Sequence, residues 1–269
     1  MNHRVKGARA MTLQDVKCFL LDMDGTFYLG GELIEGSLDF IEKVLSSGRN
    51  YMFLTNNSSH NAQFYVQKLA KMGLQTDRSH VLTSGEATCE KLWELYPGRR
   101  AFVLGNEYLV EEFREYGIPV DSEHPEIVVV GFDTTLTYNR LWAACDLVRA
   151  GLPFIATHPD FNCPTETGFM PDIGAIMAFI EASTGRRPDL VVGKPNTGIV
   201  DAALRRTGLR AEELAMVGDR MYTDIETGLR SGMLSILVMS GETTEDMLAA
   251  SATVPDLKFG RLSDMIPLL

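Results

Sequence analysis

No stretch of this 269-residue chain approaches the roughly 20 apolar residues that a bilayer-crossing helix needs. There are only four cysteines, Cys18, Cys89, Cys145 and Cys163, and no Cys-x-x-Cys pair. Thiols so scattered read as free groups in a reducing cytoplasm rather than as disulfides or a zinc site. Basic residues are in deficit: 25 Lys and Arg stand against 36 Asp and Glu, for a formal charge of −11. That balance argues against nucleic acid or an anionic membrane surface as the main partner. Residues 1–14 carry Arg4, Lys6 and Arg9 but lack the apolar segment of a secretory signal. No internal repeat or low-complexity tract is visible. What is left, 45% hydrophobic and 23% charged, is an ordinary globular composition. The length suits one large or two modest domains.

The apolar run Cys18-Phe19-Leu20-Leu21 has the bulk and brevity of a buried strand. It stops at Asp22-Met23-Asp24-Gly25-Thr26, two carboxylates spaced i, i+2. An Asx turn accounts for such a pair taken alone. In an open parallel α/β sheet, however, ligands bind beyond the carboxyl ends of the strands. Other segments repeat the pattern. Tyr51-Met52-Phe53-Leu54 runs into Thr55-Asn56-Asn57-Ser58-Ser59. Leu190-Val191-Val192 runs into Gly193-Lys194-Pro195, and Leu214-Ala215-Met216-Val217 into Gly218-Asp219-Arg220, with Asp224 close behind.

Between these strands lie helix patterns. Ser37 heads one that Gly48 ends, and another spans 62–72 before Gly73. Gly30-Gly31, between Phe27-Tyr28-Leu29 and Glu32-Leu33-Ile34, reads as a tight hairpin beside the aspartates. From about Ser84 a second alternation of helix and strand begins. It includes strands over 101–104, 127–132 and 154–156, then a long irregular stretch over 157–172. Helices are expected over 197–206 and 223–230, and a last strand over 235–239. The alternation predicts an α/β protein built on parallel sheets. The polar strand ends on both sides of the middle unit need one another chemically. We therefore expect a discontinuous core, 1–83 plus 187–269, with 84–186 inserted as a smaller α/β unit.

If all four strand ends open at one sheet edge, Asp22, Asp24, Asp219 and Asp224 crowd together and repel unless a cation intervenes. Hard oxygen ligands suit Mg²⁺, which keeps waters and typically bridges a phosphate. Thr55, Lys194 and the amides of Gly25 and Asn56 suit the remaining phosphate oxygens.

Taken in order, these four segments resemble the four motifs of the haloacid dehalogenase superfamily, and within it the NagD-like, 4-nitrophenylphosphatase-like phosphatases. The resemblance covers nearly the whole chain. It implies a Rossmann-like core with a cap inserted between the second and third motifs. It also implies roles. Asp22 is the expected nucleophile, forming an aspartyl-phosphate, and Asp24 the expected acid and base. Mg²⁺ is expected on Asp22, the Asp24 main-chain carbonyl and Asp219, with Asp224 reaching it through water or orienting a ligand. Gly25, Thr55, Asn56 and Lys194 are expected to hold the phosphoryl group. An acid at position 24 sets the chain apart from the dehalogenase branch and from the P-type ATPases. Phosphomutases share it, so mutase activity stays open, as does a non-enzymatic phosphoacceptor. The resemblance places 157–172 over the active site as the loop that selects substrate; His158 and Asp160 are then expected to help line the leaving-group pocket, the alternative for His158 being a loop histidine bonded locally. Many relatives carry Asn where this chain has His158. The expected substrates are small phosphate monoesters: sugar phosphates, nucleotides, phosphoglycolate-like or aryl phosphates. Assembly into a homodimer is left open.

Overall fold

The structure, a computed structural model, describes residues 11–165 and 167–269. The basic N-terminal residues, Arg4, Lys6 and Arg9, lie outside the described residues, as does the start of the expected core.

The first part of the chain runs β1 (Cys18–Leu21), β2 (Tyr28–Leu29), β3 (Glu32–Leu33), α1 (Ser37–Ser46), β4 (Asn50–Thr55), α2 (Ala62–Lys71) and β5 (Val81–Thr83). The middle runs α3 (Ser84–Leu95), β6 (Ala101–Leu104), α4 (Glu107–Glu115), β7 (Ile127–Val130), α5 (Tyr138–Arg149), β8 (Phe154–Ala156), β9 (Asn162–Thr165), β10 (Gly168–Pro171), α6 (Ile173–Thr184) and β11 (Leu190–Val191). The last part runs α7 (Thr197–Thr207), β12 (Leu214–Gly218), α8 (Glu226–Ser231), β13 (Leu234–Val238), α9 (Glu245–Ala250) and β14 (Leu257–Phe259).

The main sheet has the order β14-β13-β12-β1-β4-β5, and every pairing in it is parallel. Its strand order turns around at β1, between β12 and β4. That is a topological switch point, where the loops after neighbouring strands part and leave a crevice. All four residues of β1 are buried, because helices cover both faces of the sheet. On one face Phe19 meets Phe40 of α1 edge-on at 5.4 Å, and Phe27 meets Phe53 at 4.9 Å. Burying each such ring stabilises the fold by about 1.5–3 kcal/mol. On the other face Leu20, Met52 and Leu54 join a cluster that continues through Ile199 of α7 into Val103, Val129 and Ile155.

Those last three belong to a second parallel sheet, β11-β8-β7-β6. One apolar cluster thus touches both sheets, and polar ties add to it. Asn106 donates to the Ser59 carbonyl at 2.8 Å, and Ser58 shares a 2.9 Å bond with Thr157.

The structure differs from the sequence reading at several points. Leu190–Val191, expected in the core, pairs with β8 of the second sheet instead. The strand is short, and Val192 and Gly193 follow the same neighbour, donating to the Ala156 and Thr157 carbonyls. The stretch expected to be irregular over 157–172 contains the antiparallel pair β9 and β10. Pro164, Pro171 and Gly168 hid that alternation. Val81–Thr83 forms a further core strand, too short to show a period. Ser37 is not a cap: Gly36 stands at that position with φ +80°, and Ser37 Oγ donates to the Phe27 carbonyl at 2.8 Å. The helix expected over 223–230 opens with a π-helical turn, Met221–Ile225.

Candidate active site

The carboxyl ends of β1, β4 and β12 bring Asp22, Asp24, Thr55, Asn56 and Asp219 to one edge of the main sheet. The turn after β11 adds Lys194. One carboxylate oxygen each from Asp22, Asp219 and Asp224 lies within 4.8 Å of the others. Asp219 and Asp224 are buried and Asp22 half-buried. Lys194, itself buried, donates to Asp22 Oδ1 at 2.5 Å and to Asp224 Oδ1 at 2.7 Å.

Crowding shows in the electrostatics. Burial first, then the charges of Asp22 and Asp224, push the Asp219 carboxyl up to about 8. Burial likewise pushes Asp224 up to about 6, against the pull of Lys194. Burial opposes the Lys194 charge, but Asp22 and Asp224 outweigh it and hold the ammonium above its usual range. Ionised together, the three carboxylates outnumber the one ammonium, which meets only Asp22 and Asp224, so the cluster falls short of positive charge. That deficit and an all-oxygen donor set fit a hard divalent cation. Asp24, facing the same space, is raised from its usual range chiefly by burial.

Supporting contacts fix the geometry. Asp219 Oδ2 accepts from the Glu242 amide at 2.6 Å, and its carbonyl from Thr243 Oγ1 at 2.5 Å. The Glu242 and Thr243 loop after β13 was not singled out from the sequence. The polar run Ser240-Gly241-Glu242-Thr243 at a strand end was its signal. Asp224 has both oxygens engaged, one by Lys194 and the other by the Arg220 amide at 3.1 Å. Asn56 clamps the Lys194 main chain: its Oδ1 accepts from the Lys194 amide at 2.8 Å and its Nδ2 donates to the Lys194 carbonyl at 2.9 Å. The same Nδ2 reaches Asp160 Oδ2 at 3.1 Å. Gly193 must be glycine here, since a Cβ would stand 2.6 Å from Asn56 Oδ1 and 2.7 Å from His158 Cβ.

Gly25 departs from expectation. Its amide, expected at the phosphate oxygens, donates to the Tyr28 carbonyl at 2.7 Å and closes the turn into the β2–β3 hairpin. Glycine is still required, because φ is +86° and a Cβ would lie 2.4 Å from Asp219 Oδ2.

A cavity of about 230 Å³ opens over the site. Asp22, Asp24, Thr55, Asn56 and Lys194 line its inner end. Asp160, Asn162, Cys163 and Asp172 come from the second unit, on and around β9. Of the two residues expected to line a leaving-group pocket, Asp160 does so and His158 does not. His158 is fully buried behind the wall, with Nε2 3.1 Å from Asp172 Oδ1 and Nδ1 3.0 Å from Thr157 Oγ1. It packs where Gly193 leaves room, so its ring is spent on Asp172 and Thr157.

The opposite wall was missed from sequence. It comes from α2 and the residues before it: His60, Phe64, Tyr65 and Lys68, with Tyr28 of the hairpin. His60, Phe64 and Lys68 recur every four residues, which is one helix face. That spacing was legible, but an amphipathic helix on a sheet shows it too.

A carboxylate-bearing strand end at a switch point, a buried lysine and a compact carboxylate cluster form one candidate active site on a Rossmann-like sheet. A haloacid dehalogenase-like hydrolase family model matches residues 19–119, and a related hydrolase-like model matches 191–265. The chain is 36% identical over 255 residues to an acid sugar phosphatase of Staphylococcus aureus, covering 94% of this chain and 98% of that one. Among solved structures, a 4-nitrophenylphosphatase from Thermotoga maritima superposes with a TM-score of 0.92 at 49% identity, covering 94% of this chain and 97% of that one. NagD from E. coli K-12 superposes with a TM-score of 0.86 at 30% identity, over 93% of this chain and 98% of that one. The chain belongs to the haloacid dehalogenase-like hydrolases. Within them it is a phosphatase of the NagD-like group. Among the described residues, no helix is long and apolar enough to cross a membrane.

Proposed function

We propose that this phosphatase hydrolyses small phosphate monoesters through an aspartyl-phosphate on Asp22, with Mg²⁺ as its cation. The observation that carries this reading is the meeting of Asp22, Asp219 and Asp224 at the sheet edge, with Lys194 held by Asp22 and Asp224. An Asp22 oxygen forms the bond to phosphorus as the ester P–O bond breaks. Asp24, raised by burial, gives its proton to the departing oxygen. It then takes a proton from the water that opens the acyl phosphate. Lys194 and Thr55 neutralise and hold the transferring group, and Asn56 keeps Lys194 in place. Mg²⁺ would sit on Asp22, Asp219 and the Asp24 carbonyl, where it would offset the charge of the phosphoryl oxygens. Asp224 acts by holding Lys194 and the Arg220 amide.

The inserted unit over 84–186 reads as the cap. In support, β6, β7 and β8 form a parallel sheet separate from the main one, which Leu190–Val191 extends from just beyond that span. A cavity of about 230 Å³ under such a unit suits a small metabolite and excludes a folded phosphoprotein. Cys18, Cys89, Cys145 and Cys163 are all free thiols, which supports a reducing cytoplasm.

The test is steady turnover of 4-nitrophenyl phosphate with Mg²⁺, and its loss on adding EDTA. Stoichiometric labelling without turnover would favour the phosphoacceptor. Undiminished turnover in EDTA would remove the metal from the mechanism.

A further inference from the structure

The phosphoryl machinery reads only the group common to all phosphate esters, so discrimination among them rests on the leaving-group end of the cavity. Three cationic side chains reach the cavity: Lys194, Arg220 and Lys68. Lys194 is held by Asp22 and Asp224, and Arg220 lies 3.0 Å from Glu242. Lys68, among the described residues, forms no ion pair. Its ammonium stands 3.8 Å from the centre of the Tyr28 ring.

A half-buried lysine without a carboxylate partner is unfavourable unless something else meets its charge. Burial does push the Lys68 ammonium down from its ordinary value, and Asp24 pulls it partly back. The Tyr28 ring supplies some compensation through its π face. The ordinary reason for a lysine in the last turn of a helix is the dipole, but Lys71, one turn further along α2 and exposed, already serves that end.

The cavity walls are also unlike each other. On the far side, the carboxylates are already met by N–H donors: Asp160 by Asn56, and Asp172 by the Ile173 amide and the His158 ring. On the α2 side, Lys68 stands beside aromatic surface, with Phe64 stacked on His60 at 3.8 Å. Among the described residues lining the cavity, an incoming negative group finds a lysine or arginine without an ion-pair partner only there.

We infer that Lys68 is a specificity-determining residue that selects phosphate esters whose leaving group carries a second anion, a carboxylate or another phosphate. This rests on the phosphatase reading above and names the substrate class of that same site. The ammonium binds the remote anion while Asp22 faces phosphorus, and the small cavity sets the span between the two groups.

The experiment compares kcat/KM for wild type, Lys68→Met and Lys68→Arg on matched esters, each with Mg²⁺. The panel is 2-phosphoglycolate, glycerol 3-phosphate as its uncharged-leaving-group counterpart, fructose 1,6-bisphosphate against fructose 1-phosphate, and 4-nitrophenyl phosphate. Methionine keeps the apolar stem over Tyr28 and removes the charge. In wild type, at least one anionic ester should exceed its counterpart by about tenfold. Lys68→Met should collapse that ratio toward one, chiefly through KM, and Lys68→Arg should restore part of it. Which pair shows the preference tells carboxylate from phosphate. Wild-type ratios near one for both pairs would overturn the inference. So would an equal loss on every ester in Lys68→Met, which would mean that Lys68 acts through Asp24 or the fold. Failure of wild type to hydrolyse any of the five esters would instead overturn the proposed function, and the substrate class with it.

Discussion

Two clusters of acidic groups each send side chains to the cavity, Asp22 from one and Asp160 and Asp172 from the other. Asp22, Asp219 and Asp224 form one, and His158, Asp160 and Asp172 the other, each with ligand atoms within 4.8 Å of one another. By residue type and spacing both look like metal sites. Their surroundings part them. In the second cluster His158 and the Ile173 amide satisfy Asp172, and Asn56 satisfies Asp160. In the first, Lys194 meets Asp22 and Asp224, and the Glu242 and Arg220 amides reach Asp219 and Asp224, yet three carboxylates crowd together and burial raises Asp219 and Asp224. Crowded acids suit a cation when three carboxylates outnumber the one ammonium among them, and become a structural tie when donors meet each in turn.

The sharpest way to break this contrast is the nucleophile. Asp22→Asn should keep the fold by circular dichroism and lower kcat on 4-nitrophenyl phosphate by at least about 10³-fold. Asp172→Asn, the same exchange in the second cluster, should cost less than about tenfold. Comparable losses would erase the distinction.

A smaller difference lies within the first cluster. Asp219→Ala should weaken Mg²⁺ affinity, so that raising the metal concentration recovers much of the rate. Asp24→Asn keeps the main-chain carbonyl and loses only the proton carrier, so its defect should resist added metal. Metal titration of both variants decides it, and equal rescue would mean that the two aspartates share one role.

His158→Ala should act on stability before catalysis. It removes a buried ring and leaves Asp172 without one partner, a loss of about 1–3 kcal/mol. At about 2–4 °C per kcal/mol, thermal unfolding should show it, with Mg²⁺ affinity unmoved. A variant with an unchanged Tm and a rewritten substrate preference would restore His158 to the pocket lining.

The smallest effect concerns a third acidic group, which accepts from a hydroxyl and for which burial outweighs the pull of Arg78 and Arg206. Glu112 of α4 is buried, accepts from Thr83 Oγ1 at 3.0 Å and feels the charge of Glu86. Burial above all holds its pKa well above the usual carboxylate range. Its contribution to stability is therefore complete below the unfolded value near 4.5 and is lost as pH rises through the folded value. Glu112→Gln should thus gain on wild type as pH goes from 4 to 8, by on the order of 1 kcal/mol. A Tm difference that stays flat with pH would show that Glu112 is ionised in the folded protein.

The four motifs were legible because each is a strand end, and short apolar runs closed by polar residues announce themselves locally. Asp22, Thr55, Asn56, Lys194, Asp219 and Asp224 stand together in the structure as those runs implied. The α/β class was legible for the same reason: alternation is a one-dimensional pattern. Strands of two or three residues, such as Leu190–Val191 and Val81–Thr83, carry no period, so only their hydrogen-bond partners assign them to a sheet.

What the linear chain determined, then, is which side chains can do chemistry and that parallel strands would deliver the aspartates, Thr55 and Asn56 to one edge; Lys194 arrives instead from the second sheet. It could not determine which amides and rings those side chains meet. Gly25 spends its amide on Tyr28, and His158 turns away from the cavity toward Asp172. Lys68 reaches the cavity from a helix that sequence offers only as an amphipathic cover. Each outcome depends on partners brought together by packing, and hydrogen bonds and desolvation are settled among such neighbours, however far apart they lie in the chain.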